Sequence, residues 1–251
     1  MRIAGAMFTW VWLSLGASAA ALAQAPGVHY VHQGVMPPGA IGSRQLQRGG
    51  PVPCYYQPVE IKAPAGALIS LAVGQAFGEP RPNPVKAGML IGQVYRIRVT
   101  NLPLNPGQEV FPSIEVIDRL YPPAGQELRF PIPIELTRED LELALSGKFV
   151  TRVIYLEDPM QALPVPLGDK PQNWFELAPG RDPLAAADAL GRPVAILRLG
   201  ARLPGADQSP DANFFFGGPP LVEYAVEAKV LPAPPDRAAH KPAGPQASRT
   251  K

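Results

Sequence analysis

The most organised pattern of apolar and polar positions lies in residues 136–159, where LTREDLELAL is followed by FVTRVIYL. Apolar residues recur at helical spacing from Leu141 to Leu145. In the second part, β-branched and aromatic residues occupy both faces apart from Thr151 and Arg152. The pattern predicts a short helix that leads into a strand covered on both sides.

Local signals define both ends of the predicted helix. Thr137 stands at the N-cap position, and Asp140 three residues later is the shortened partner of a capping box. Leu136 and Leu141 occupy the two positions of a hydrophobic staple. Gly147 stands where a C′ residue ends a helix.

Seven further segments carry strand signals, and one more carries helix signals. The segment 182–191 predicts a helix with Asp182 as N-cap, Pro183 as first residue and Gly191 as C′ residue. The prolines at 131 and 133 indicate an edge strand or a polyproline segment. The predicted strands, including that after the first helix, are 59–62, 67–73, 94–100, 111–118, 128–134, 149–156, 193–200 and 221–230.

This order predicts a mainly β fold: a single β-sandwich of Ig-like architecture with two short crossover helices. A small α/β domain is the alternative, because each helix precedes a strand. The domain spans 59–231, between an arm (24–58) rich in proline and glycine and a proline-rich tail (232–251). Both flanks are predicted to be disordered.

The first 23 residues have the pattern of an export signal. Arg2 is followed by an uncharged stretch from Ile3 to Leu22, and Ala21-Leu22-Ala23 fits a cleavage site before Gln24. A retained anchor helix is the alternative. With cleavage, the chain is exported to the periplasm or beyond and does not span the membrane.

The net charge and the positions of the histidines argue against several classes of function. A net charge of +2 gives no reason to expect a nucleic-acid partner. The three histidines, His29, His32 and His240, all lie outside the predicted domain, which argues against histidine-dependent nucleophilic catalysis there. Structural zinc and nucleotide loops have no matching motifs, so no cofactor is expected.

Carboxylates leave one enzymatic possibility, because a glycosidase needs only two acids at the correct separation. The candidates stand at strand ends or in loops, where solvated acids are common. They are Glu115, Asp118, Glu157, Asp158 and Glu176.

Three features could bind a partner or a metal. Trp174, the only tryptophan after the predicted signal, and Phe175 are candidate ligand contacts, with Tyr55 and Tyr56 as possible additions. Phe214, Phe215 and Phe216 cannot all point into one core from a strand, so at least one is expected to face outward. Asp207, Asp211 and Asn213 form a loose calcium-like set, for which an ordinary polar loop is the alternative.

Cys54 is the only cysteine, so no disulfide within the chain is possible. It is predicted to be a free thiol beside a loop, with a disulfide to another molecule as the alternative.

The segments VYRIRVTNLPLNPGQEVFPSIEVIDRL, LTREDLELALSGKFVTRVIYLEDP and AILRLG resemble an uncharacterised family of exported proteins that is expanded in planctomycete bacteria. The resemblance covers about residues 90–200, and FVTRVIYL is its most specific part. It implies export and a setting in the bacterial envelope, without an activity or functional residues.

The sequence therefore predicts a non-enzymatic envelope protein that acts as a structural or protein-interaction module. A carbohydrate-binding module that uses loop aromatics is the alternative, followed by a two-carboxylate hydrolase.

Overall fold

The computed structural model describes residues 37–50, 53–103, 105–160, 174, 176–178, 180–200, 202–205 and 211–225. The predicted signal, the first part of the arm, the tail and the end of the last predicted strand lie outside these residues. The helices are α1 Ala40–Gln47, α2 Arg138–Leu145 and α3 Pro183–Leu190. The strands are β1 Tyr56–Lys62, β2 Leu68–Val73, β3 Ala76–Phe77, β4 Arg81–Pro82, β5 Val85–Leu90, β6 Val94–Thr100, β7 Ser113–Val116, β8 Ile132–Glu135, β9 Val150–Glu157, β10 Gly191–Leu199 and β11 Leu221–Tyr224.

These strands form two sheets around one apolar core, which confirms the predicted mainly β sandwich. The smaller sheet has the order β11-β5-β1-β8, in which β1 and β8 are parallel. The larger sheet has the order β3-β2-β6-β7-β10-β9, with β4 also paired to β2. Helix α2 connects the two sheets, since it follows β8 and precedes β9.

The predicted capping box and C′ glycine of α2 are confirmed. Thr137 accepts a hydrogen bond from the Asp140 backbone N–H, and the Asp140 carboxylate accepts one from the Thr137 N–H. Gly147 has φ +80°, and its N–H donates to the Ala144 carbonyl while the next N–H donates to the Leu143 carbonyl. This pair of bonds is a Schellman motif, which satisfies two carbonyls of the last turn.

The strand after α2 has contacts on both faces, but the cover is only partial. β9 lies at the edge of the larger sheet, and most of its residues are only partly buried. The next strand inward, β10, is buried from Pro193 to Leu199. The apolar residues of β9 contact α2 on one face and α3 on the other. Only one edge of β9 is paired with a described strand, namely β10.

A second apolar cluster covers the outer face of the larger sheet. Ile41 of α1 and Leu184 of α3 pack there against Ile117 and Ile196. The predicted unstructured arm is therefore wrong at 40–47, which form α1, and from Tyr56, where β1 begins. AIGSRQLQ has too few apolar positions to predict a helix, and its stability comes from this tertiary contact.

Two glycines lie in strands at points of close contact with a neighbouring residue. Gly191 is extended (φ 169°) and begins β10, so the predicted left-handed C′ residue is wrong; a Cβ there would lie 1.9 Å from the Leu156 carbonyl oxygen. The unpredicted strand β5 contains Gly88, where a Cβ would lie 2.6 Å from the Tyr224 hydroxyl. Both glycines permit close packing that no local pattern reveals.

A buried ion pair joins α1 to the larger sheet. The Glu115 side chain is fully buried, and its Oε2 accepts a 2.8 Å hydrogen bond from Arg198 Nη1. Its Oε1 accepts a 3.0 Å bond from the Gly42 N–H in the first turn of α1. Both carboxylate oxygens thus have partners, as a buried charge requires.

Replacing Glu115 by Gln should lower the free energy of unfolding by about 3 kcal/mol, because it leaves the buried Arg198 guanidinium without a counter-charge. Urea unfolding monitored by circular dichroism measures the change. The matched control is Glu109→Gln, which removes an exposed carboxylate 3.9 Å from Arg98 and should cost less than about 0.5 kcal/mol. Equal losses in the two variants would contradict the assignment.

Tyr95 joins β6 to one end of the strand pair β5–β11. Its hydroxyl accepts a 2.7 Å hydrogen bond from the Leu90 N–H and donates a 2.9 Å bond to the Pro220 carbonyl. Burial raises the pKa of the Tyr95 phenol to about 12. The neutral phenol therefore stabilises the fold below about pH 10, and this contribution is lost as the pH rises towards 12.

Tyr95→Phe should flatten the loss of stability between pH 10 and pH 12, because it removes the group that titrates there. It should also cost about 1–2 kcal/mol at neutral pH, since the Leu90 N–H and the Pro220 carbonyl lose their partner. Urea unfolding as a function of pH measures both effects. The exposed Tyr121→Phe is the control and should retain the wild-type profile; the same retention in Tyr95→Phe would refute the prediction.

Candidate functional site

Among the predicted binding residues that the structure describes, Trp174 has the most exposed aromatic side chain. Its side chain is 55% exposed, and the Arg152 guanidinium carbon lies 4.5 Å from the ring centroid. A cation at this distance over an indole is attracted by the negative charge of the ring face. The remaining exposure leaves much of the ring available to a ligand.

The Arg152 side chain is held in place by Asp140. Its Nε and Nη2 each donate a 2.7 Å hydrogen bond to the two oxygens of Asp140, which is 1% exposed. The same carboxylate completes the capping box of α2. We call Trp174, Arg152 and Asp140 the Trp174 platform.

Trp174 stands out in the sequence, but its support does not. The sequence pattern indicates only a capping role for Asp140 and a polar strand position for Arg152. The sequence holds one hint of this pairing: Asp140 is the N3 residue of a helix, and Arg152 is the third residue of the strand that follows. The two side chains meet only because the chain turns at Gly147 between the helix and the strand.

A cleft of about 440 Å³ lies where the end of β9 meets the end of α3 and the start of β10. It contains the predicted carboxylates Glu157 and Asp158, together with Asp188 and Arg192, which were not predicted. Arg192 Nη1 is paired with the Asp118 carboxylate and donates a 3.1 Å bond to the Arg119 carbonyl. The remaining lining residues are Leu156, Pro159, Ala189 and Gly191.

The other candidate carboxylates are distributed over different surroundings. Glu115 is buried in the ion pair with Arg198, so it cannot reach a substrate. Asp118 is paired with Arg192 and accepts a 2.7 Å bond from the Arg119 N–H. Glu176 is exposed. Of the five predicted acids, only Glu157 and Asp158 line the cleft.

The phenylalanine run is mostly core, which corrects the prediction of a binding surface there. Phe214 is fully buried and Phe215 is 7% exposed, in a cluster with Phe77 and Phe111. The prediction assumed a strand, in which neighbouring side chains alternate. Residues 211–217 instead form turns, closed by bonds such as that from the Phe215 N–H to the Asp211 carbonyl, so adjacent rings can enter one cluster.

Phe216 is partly buried and has φ +54°. The Arg96 guanidinium lies between its ring and that of Phe214, at 4.7 and 4.6 Å from the centroids. Arg96 also donates to the carbonyls of Phe214 and Phe111 at 3.0 and 2.8 Å. Phe216 therefore holds the turn against the sheet.

The structure gives different information on the three residues of the predicted calcium-like set. Asp211 Oδ1 accepts hydrogen bonds from the N–H groups of Asn213 and Phe214 at 2.9 and 3.0 Å, so it stabilises the turn. Asp207 lies outside the described residues. Among the residues that the structure describes, no three side chains of metal-binding type form a group.

The remaining predicted residues have mixed positions. Cys54 is exposed with φ +62°, and the disulfide with another molecule stays the alternative to a free thiol. Tyr55 is partly buried against Arg119, whose guanidinium carbon lies 4.1 Å from the ring, and Tyr56 begins β1. Phe175 lies outside the described residues.

Comparisons with protein-family models, curated proteins and solved structures found no match to this chain. Within the described ranges, no helix has the length and apolar character needed to cross a membrane. The fold and the Trp174 platform define this protein as a two-sheet β-sandwich with an exposed aromatic contact.

Proposed function

We propose that the protein is a non-enzymatic module of the bacterial envelope that binds another protein through the Trp174 platform. The observation that carries this proposal is the half-exposed indole held by a fixed, ion-paired arginine. Export rests on the signal pattern of residues 1–23.

The platform has the properties of an interface hot spot. Tryptophan and arginine are enriched at such positions, where they supply large contact areas. The bidentate bond to Asp140 already orders the Arg152 side chain, so little rotamer entropy remains to be lost on binding. This preorganisation favours a ligand contact over a loosely held surface tryptophan.

A carbohydrate ligand is the alternative for the same residues. One side of the indole is covered by Arg152, and the open part can stack on the apolar face of a sugar ring. A protein ligand and a carbohydrate ligand would both need Trp174. The two functions are therefore distinguished by identifying the bound material as protein or sugar.

Trp174→Ala should abolish ligand capture while lowering the free energy of unfolding by less than about 1 kcal/mol, because the side chain is half exposed. The immobilised protein is exposed to an envelope extract with reductant present, and bound protein and sugar are both analysed. The enriched partner is then purified and its direct binding measured.

Tyr121→Ala is the matched control, since it removes another exposed aromatic residue far from Arg152 in the chain, and it should retain binding. Enrichment of a polysaccharide that depends on Trp174 would transfer the assignment to carbohydrate binding. Unchanged binding by Trp174→Ala would reject both assignments.

A second candidate function is hydrolysis by a carboxylate pair in the cleft. It is favoured by one observation: Glu157, Asp158 and Asp188 line the same 440 Å³ space. In a two-carboxylate hydrolase, one acid protonates the leaving group while the other activates water or attacks directly.

If the cleft is catalytic, Glu157→Gln and Asp188→Asn should each reduce the release of reducing ends from envelope polysaccharide by more than about a hundredfold. Glu176→Gln is the control, because that exposed acid is not among the residues lining the cleft. Absence of hydrolysis by the wild-type protein would remove this candidate.

A further inference from the structure

The outer edge of β9 is the least protected strand edge in the described part of the chain. β9 has eight residues, and its neighbour in the larger sheet is β10. It contains no proline, glycine or lysine, which are the residues that commonly prevent pairing at an edge. By contrast, the edge strand β8 has four residues and includes Pro133.

The side chains of β9 favour further pairing. VTRVIYLE is rich in β-branched and aromatic residues, which stabilise cross-strand contacts. Its only basic residue, Arg152, is neutralised within the chain by Asp140. A long, nearly neutral edge of this composition is a template for another strand.

The charged residues beside β9 indicate which strand would pair with it. Lys148 lies five positions before Val153, and Asp158 lies five positions after it. Lys148 is exposed, and Asp158 is partly buried with Oδ1 accepting a bond from the Met160 N–H. Lys148 precedes β9 by two residues and Asp158 follows it directly, so in an antiparallel pair of identical strands centred on Val153 each Lys148 would lie near the Asp158 of the other copy, just beyond the paired strands.

We propose that β9 pairs antiparallel with β9 of a second copy of this chain, in the register centred on Val153. Directly opposite residues share one face of the sheet, so the two-fold axis must pass through a residue position. Centring on Arg152 would place two arginines opposite each other, which is unfavourable. Centring on Ile154 would remove both contacts between Lys148 and Asp158.

The chosen register also places several similar side chains opposite each other. Val153 lies opposite Val153, Val150 opposite Leu156 and Thr151 opposite Tyr155. Arg152 lies opposite Ile154, but its charge remains paired with Asp140 of its own chain. The two larger sheets would join into one continuous sheet, with the smaller sheet of each copy unchanged. A parallel arrangement would bring the two Lys148 side chains together, so charge selects the antiparallel one.

Charge reversal tests both the partner and the register. Lys148→Glu alone and Asp158→Lys alone each replace two attractive contacts with two repulsive ones, and each should raise the dimer dissociation constant by about tenfold or more. An equimolar mixture of the two variants should restore a dimer, since both contacts become attractive again in the mixed pair. Sedimentation of the full chain over a concentration series, with reductant to exclude a Cys54 disulfide, measures these constants.

Controls separate this inference from misfolding and from the proposed ligand contact. Circular dichroism verifies that each variant folds, and the restored mixed dimer shows that its edge strand is intact. Arg181→Glu reverses an exposed cation outside β9 and should leave the constant unchanged. The sedimentation sample contains only the purified chain, so its outcome does not depend on ligand binding at Trp174.

A wild-type chain that stays monomeric at every concentration overturns the proposal. So does a dimer that neither single reversal weakens, or a mixture that does not reassociate. Slower amide hydrogen exchange in β9 at high than at low protein concentration is the expected result for strand pairing, and equal exchange rates contradict it.

Discussion

The larger sheet depends on one buried carboxylate. Glu115 lies on β7 at the centre of that sheet and binds Arg198 of the neighbouring β10 through one oxygen and the first turn of α1 through the other. Because neither oxygen has access to water, both contacts must be present at once. The ion pair thereby couples strand order to the position of the helix that covers the outer face.

Two buried arginines, Arg96 and Arg198, lie on the same outer face of the larger sheet and are stabilised in different ways. Arg96 and Arg198 both lie directly opposite Ser113, one on each neighbouring strand. Arg198 is neutralised by Glu115, whereas Arg96 is held by two carbonyls and two phenylalanine rings. Burial, with repulsion from Arg202, lowers the pKa of Arg96 to about 10, which still leaves it charged at neutral pH. The phenylalanine turn is therefore a structural cover for a buried cation.

Asp140 connects local helix chemistry to the candidate site. It completes the capping box of α2 and at the same time fixes Arg152 beneath Trp174. Since the capping box requires α2 to be formed, the orientation of the exposed indole is linked to the correct folding of the helix and its turn. One short helix thus determines the geometry of the platform.

Local interactions were predictable from the sequence alone. The capping box at Thr137, the αL glycine at Gly147, the N-cap at Asp182 and the strand Val94–Thr100 depend on neighbours in the chain, and the structure confirms each of them. The two-sheet class followed from the order of these elements. Trp174 could be singled out as the one tryptophan beyond the predicted signal.

Long-range interactions were decided only by the tertiary structure. Helix α1 forms because Ile41 is buried against the sheet and Gly42 binds Glu115, 73 positions away. Phe214 is buried because a turn, and not a strand, delivers it to the sheet. The placement of β9 at an edge and the pairing of Arg152 with Asp140 depend on sheet order. Periodicity along the chain identifies a strand, but the contacts that decide its neighbours come from residues distant in sequence.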